Sequence, residues 1–121
     1  MLSTEAPTDA LFGVQHDLRD GFVRLFVRGE LDLATVPVLE DALAPVERWS
    51  GRVVVDLSDL SFMDASGLRA LGCAGRRASE KGRRFAVTRC RPMVRRLFEL
   101  TGMADMLDEA VPELLEAHAG G

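Results

Sequence analysis

Ser66 is the residue whose type and setting most invite chemistry. It sits two residues after Asp64 and just before Gly67, in Phe62-Met63-Asp64-Ala65-Ser66-Gly67-Leu68. A hydrophobic run, Val53-Val54-Val55-Asp56-Leu57, precedes this stretch, and after Ser66 the apolar period becomes helical. A hydroxyl in the first turn of a helix lies among backbone N–H groups that lack an intrahelical acceptor, in a positive field. A phosphate attached there is electrostatically favoured within the domain, and it places about −2 on a surface that was neutral before. Ser66 is thus well placed to be a switch. The competing reading is that Asp64 and Ser66 merely cap the helix, a role worth about 1 kcal/mol.

Enzymatic readings fit poorly. A nucleophile elbow needs glycine two residues before the serine, where this chain has Asp64. A hydrolase using Ser66 also needs a base, but His16 falls in the first strand and His118 in the terminal tail. There is no Walker phosphate loop and no dinucleotide fingerprint. Asp56, Asp59 and Asp64 offer carboxylates to a divalent ion, but without calcium-loop spacing. Cys73 and Cys90 make neither a disulfide framework nor a zinc site. No cofactor is implied.

The surrounding chain must position Ser66. Its 121 residues suit one domain, and 47% hydrophobic with 28% charged residues suits a soluble protein with a buried core. Residues 1–8 read as a loose tail, 9–118 as the domain and 119–121 as a fraying end. No apolar run is long enough to span a membrane and the start lacks a signal-peptide pattern, so the expected address is the cytoplasm.

Two β-rich runs around Asp20-Gly21 predict an antiparallel hairpin. Gly29-Glu30-Leu31-Asp32 breaks the second run, and Thr35 is the expected N-cap of a helix carrying Val36, Leu39 and Leu43. Arg52–Leu57 reads as a buried central strand, leading through a loop with Asp56, Asp59 and Asp64. The helix after Ser66 places Leu68, Leu71, Gly75 and Ala78 on one stripe, and its many small residues suit close approach to a sheet below or a partner above, with sheet packing the plainer reading. A strand at Arg84–Thr88, a helix opening at Pro92, a short strand near Met103–Leu107 and a last helix opening at Pro112 complete the order. A hairpin followed by alternating β and α elements predicts an α/β fold with a mixed sheet.

Charge is unevenly placed. Residues 69 to 96 carry ten basic side chains and one acid, a net +9, while the rest of the chain carries −13. The overall −4 argues against general nucleic-acid binding. The arginine block is either an ordinary solvated surface or a docking face for an acidic partner or phosphate.

Taken in order, Gly29-Glu30-Leu31-Asp32, Val53 to Ser58, Phe62 to Leu68 and Pro92-Met93-Val94-Arg95-Arg96-Leu97-Phe98 resemble the STAS domain, and most closely the stand-alone bacterial anti-sigma factor antagonists. The resemblance runs from about Leu11 to Ala117. It implies a single domain with helices mostly on one side of the sheet. It also implies that the unphosphorylated protein binds an anti-sigma factor that is an ATP-using serine kinase and so releases the sigma factor. Phosphorylation then ends binding, and a phosphatase resets the cycle. By motif the phosphorylated serine maps onto Ser66, with Asp64 and Gly67 as supporting residues. Ala65 stands where many members have serine or threonine, which leaves Ser66 as the single hydroxyl. Gly29, Glu30, Asp32, Arg69, Arg76 and Arg77 are the expected partner contacts. STAS-like domains also serve in transporters and sensory assemblies, so a ligand-sensing or scaffold module is the alternative.

Overall fold

β-branched and aromatic residues crowd Phe22–Leu31, and this segment forms the longer arm of the expected hairpin. The computed structural model describes residues 11–19, 21–48 and 51–108. β1 (Gly13–Arg19) pairs antiparallel with β2 (Phe22–Leu31). Helix α1 (Val36–Glu47) leads to β3 (Arg52–Met63), and α2 (Ala65–Glu80) leads to β4 (Phe85–Thr88). Helix α3 (Pro92–Leu100) and a 3₁₀ turn (Ala104–Met106) follow. The sheet order is β1-β2-β3-β4, with β2, β3 and β4 parallel.

One core joins the helices to one face of the sheet. Leu25, Val27 and Leu31 of β2, Val53, Val55 and Leu57 of β3 and Val87 of β4 pack with Leu39 and Leu43, Leu68 and Leu71, and Val94 and Phe98. On the other face Phe22, Val54 and Ala86 form a smaller cluster. Beside them Asp56 is 1% exposed. Its carboxylate accepts from Arg24 Nη2 at 2.7 Å and from the Ser58 N–H and hydroxyl at 2.9 and 2.7 Å. The half-buried Arg24 therefore neutralises a buried carboxylate.

The structure departs from the sequence reading in three places. β3 does not end near Leu57 but continues to Met63. It can do so because β2 also continues, through register shifts between Phe26 and Arg28 and between Gly29 and Glu30. Gly29 adopts φ +94°, and a Cβ there would lie 2.8 Å from the Phe12 Cα. Thr35 makes no side-chain cap bond, contrary to expectation. Asp32 takes that role one turn earlier, its Oδ1 accepting from the N–H groups of Ala34 and Thr35 at 3.0 and 3.1 Å. The expected strand at Met103–Leu107 is a 3₁₀ turn followed by a single parallel bridge, Val87 to Leu107. The expected helix at Pro112 and both chain ends lie outside the described residues.

Candidate functional site

β2 and β3 end side by side, with Leu31 and Met63 as register partners. The chain beyond both ends therefore meets at one pole of the sheet, where parallel α/β folds build their sites. The Asp64 N–H donates to the Leu31 carbonyl at 3.1 Å, fastening the start of α2 to the end of β2. Asp64 is the N-cap. Its Oδ1 accepts from the N–H groups of Ser66 and Gly67 at 2.9 and 3.1 Å. Gly67 lets the helix approach closely, since a Cβ there would lie 2.7 Å from Leu31 Cγ and 2.8 Å from Met63 Cγ.

This arrangement separates the two roles that the sequence left entangled. Asp64 does the capping, and Ser66 sits in the first turn, half-buried, with its N–H occupied. Its hydroxyl has no hydrogen-bond partner among the described residues. Ser66 lines a groove of about 250 Å³ between α1 and α2, shared with Leu33, Val36, Glu40, Arg69 and Cys73.

The remaining expected contacts divide. Arg69 is exposed and lines the same groove as Ser66. Arg77 lines it too but is half-buried. Its Nε and Nη2 grip the Glu47 carboxylate, the shortest contact being 2.6 Å, and so tie α2 to α1. The hydrogen bonds donated to Glu47 raise the Arg77 pKa above its ordinary value against the opposing effect of burial. Arg76 is exposed on a different flank, lining a depression with Met103 and Met106, and donates to Cys73 Sγ at 3.3 Å. Glu30 is exposed at the end of β2, where its carbonyl accepts from the Thr35 hydroxyl. Gly29 supplies the bend before it, and the Asp32 carboxylate is occupied within its own turn.

Two apolar residues at this pole were missed by sequence reasoning. Leu33 is 75% exposed and Phe62, opposite Glu30 in the register, is 41% exposed. Leu33 falls outside the helical stripe of α1, which was the available signal. Phe62 gave none, because the strand was expected to stop before it. Cys90, on the loop after β4, is held protonated by burial, its pKa pushed up to about 11.

Residues 14–112 match the family described as "Mlab, STAS domain". The chain belongs to the STAS-domain family of anti-sigma factor antagonists. It is 30% identical over 95 residues to the anti-sigma-B factor antagonist of Staphylococcus aureus (strain NCTC 8325 / PS 47), covering 78% of this chain and 88% of that one. It superposes on an anti-sigma factor antagonist from Mycobacterium paratuberculosis with a TM-score of 0.75 at 28% identity, over 91% of this chain and 96% of that one. A likeness in fold extends to the Bacillus cell fate determinant SpoIIAA in the phosphorylated form, with a TM-score of 0.67 at 21% identity, over 90% of this chain and 99% of that one. Members of the STAS antagonist family are regulatory modules, not catalysts. No helix among the described residues is long and apolar enough to cross a membrane.

Proposed function

We propose that this protein is an anti-sigma factor antagonist switched by phosphorylation of Ser66. The observation that carries the reading is the Ser66 hydroxyl, which is held in the first turn of α2 and released from capping by Asp64. Similarity to anti-sigma-B factor antagonists supports an anti-sigma factor as the partner. The unphosphorylated protein binds that partner, a serine kinase that brings its own ATP, and the sigma factor is released. Transfer then forms a bond from Ser66 Oγ to the γ-phosphorus and breaks that phosphorus's bond to the β-bridging oxygen. ADP leaves, and the hydroxyl proton passes to a base on the kinase. A separate phosphatase hydrolyses the phosphoserine and restores the first state.

A phosphate adds about −1.5 to −2 charge and three acceptor oxygens. At Ser66 it enters a groove whose wall carries the Glu40 carboxylate and the apolar Leu33 and Val36. A partner fitted to that groove loses both apolar contact and charge complementarity. Glu30, Phe62, Leu33 and Arg69 frame the docking surface around it, with Arg76 on the adjoining flank.

The test is a paired capture from lysate of the source organism, with ATP or ADP present and Ser66→Ala or Ser66→Asp as bait. A kinase-like anti-sigma factor held by Ser66→Ala and lost by Ser66→Asp supports the switch. The same partners on both baits overturn it.

A further inference from the structure

The groove beside Ser66 contains two arginines in different states. Arg77 is engaged by Glu47. Arg69 is exposed and makes no ion pair among the described residues, although it lines the same groove. It lies three residues after Ser66 on one continuous helix, a spacing that puts side chains side by side, about 5–6 Å apart at Cβ. An anion on the N-terminal member and a cation on the C-terminal member is the favoured sense of such a pair.

We propose that Arg69 is the specific counter-ion of a phosphate on Ser66, which it clamps within the groove. The inference rests on the reading of Ser66 as a phosphosite. Other charges around the groove favour this assignment. Glu40 on α1 repels the phosphate, Asp64 is committed to the backbone, and Arg77 already holds a carboxylate. Arg69 is the cation left to accept it, and a guanidinium matches phosphate with two parallel hydrogen bonds. Phosphorylation then withdraws Arg69 from any acidic group of the partner, so one modification removes a docking cation as well as adding negative charge.

The test installs phosphoserine at position 66 by translation with an orthogonal tRNA pair, so no kinase is needed. The second ionisation of the phosphate, ordinarily near pH 6, is followed by phosphorus NMR. The α2 N-terminus acts equally in every variant, so the difference between variants isolates Arg69. In Arg69→Gln the midpoint is expected to rise by about half a pH unit or more relative to the parent, in keeping with loss of a charge-assisted pair. Arg69→Lys restores part of the shift. Arg76→Gln, which alters the other flank, leaves it unchanged. Equal midpoints in the parent and Arg69→Gln overturn the clamp, as does an equal rise in Arg76→Gln. A kinase that fails to modify Ser66 would refute the proposed cycle without altering this titration.

Discussion

Alanine at Gly67 and at Gly72 should change stability in opposite directions, although both positions lie in α2. Replacing glycine by alanine within a helix is itself worth about 1 kcal/mol of added stability. At Gly72 the new Cβ would meet the Met103 Cε at 2.6 Å, with the next contact at 3.8 Å. That carbon ends a flexible, half-buried side chain and can swing aside. At Gly67 the Cβ would lie 2.7 Å from Leu31 Cγ, 2.8 Å from Met63 Cγ and 2.9 Å from Leu31 Cδ2. Carbon pairs settle at about 3.5–4.0 Å, so the inner atoms of two core side chains must move by nearly an ångström. Overpacking of this kind costs about 1–3 kcal/mol, and three simultaneous contacts with buried Leu31 and Met63 place it at the upper end. Gly67→Ala is therefore expected to lose about 1–2 kcal/mol net, and Gly72→Ala to gain up to about 1 kcal/mol. Urea denaturation followed by far-UV circular dichroism reads both as midpoint shifts at constant slope. If Gly67→Ala proved as stable as the parent, close seating of α2 on β2 and β3 would not be what positions Ser66.

Asp64→Ala removes the acceptor for two backbone N–H groups and should cost about 1–2 kcal/mol, while Asp64→Asn retains most of the cap. Thermal denaturation of the two variants checks the difference. Cys90 sets a pH limit, because its thiol pKa is raised from 9.0 to about 11 by burial. The ionised thiolate favours the unfolded chain, so this contribution is complete below about pH 9 and is lost as pH rises through about 11. Denaturation at about pH 8 and about pH 10.5 should show the parent losing more stability than Cys90→Ala.

Most of the order of elements was legible in local composition and period. Phe22–Leu31 is dense in β-formers, Leu68 and Leu71 recur at helical spacing, and Pro92 opens α3. The length of β3 was not legible, since its extension depends on a bulged partner strand and its outer residues are exposed. Thr35 misled because its hydroxyl is spent on the preceding turn, accepting from the Asp32 N–H and donating to the Glu30 carbonyl, while Pro37 offers no N–H to cap. At the site, local spacing alone leaves both Asp64 and Ser66 as candidate caps, and the structure gives the cap to Asp64. The different settings of Arg69, Arg76 and Arg77 were hidden, because the Glu47 pairing and the groove between α1 and α2 are tertiary facts. The small residues of α2 suit either a sheet below or a partner above, with sheet packing the plainer reading. Gly67 fits that reading and Gly75 does in part, facing Phe85 of β4 as well as Met106, whereas Gly72 makes room for Met103 beyond α3.

The most direct test of the switch is site-resolved phosphorylation. The parent protein and Ser66→Ala are each incubated with the captured anti-sigma partner and ATP, and phosphate is located by mass spectrometry of peptides. The account predicts one phosphoryl group on Ser66 in the parent, none on Ser66→Ala, and release of the partner in step with modification. Phosphate at another residue, or a partner that binds and stays bound while Ser66 remains unmodified, would contradict it.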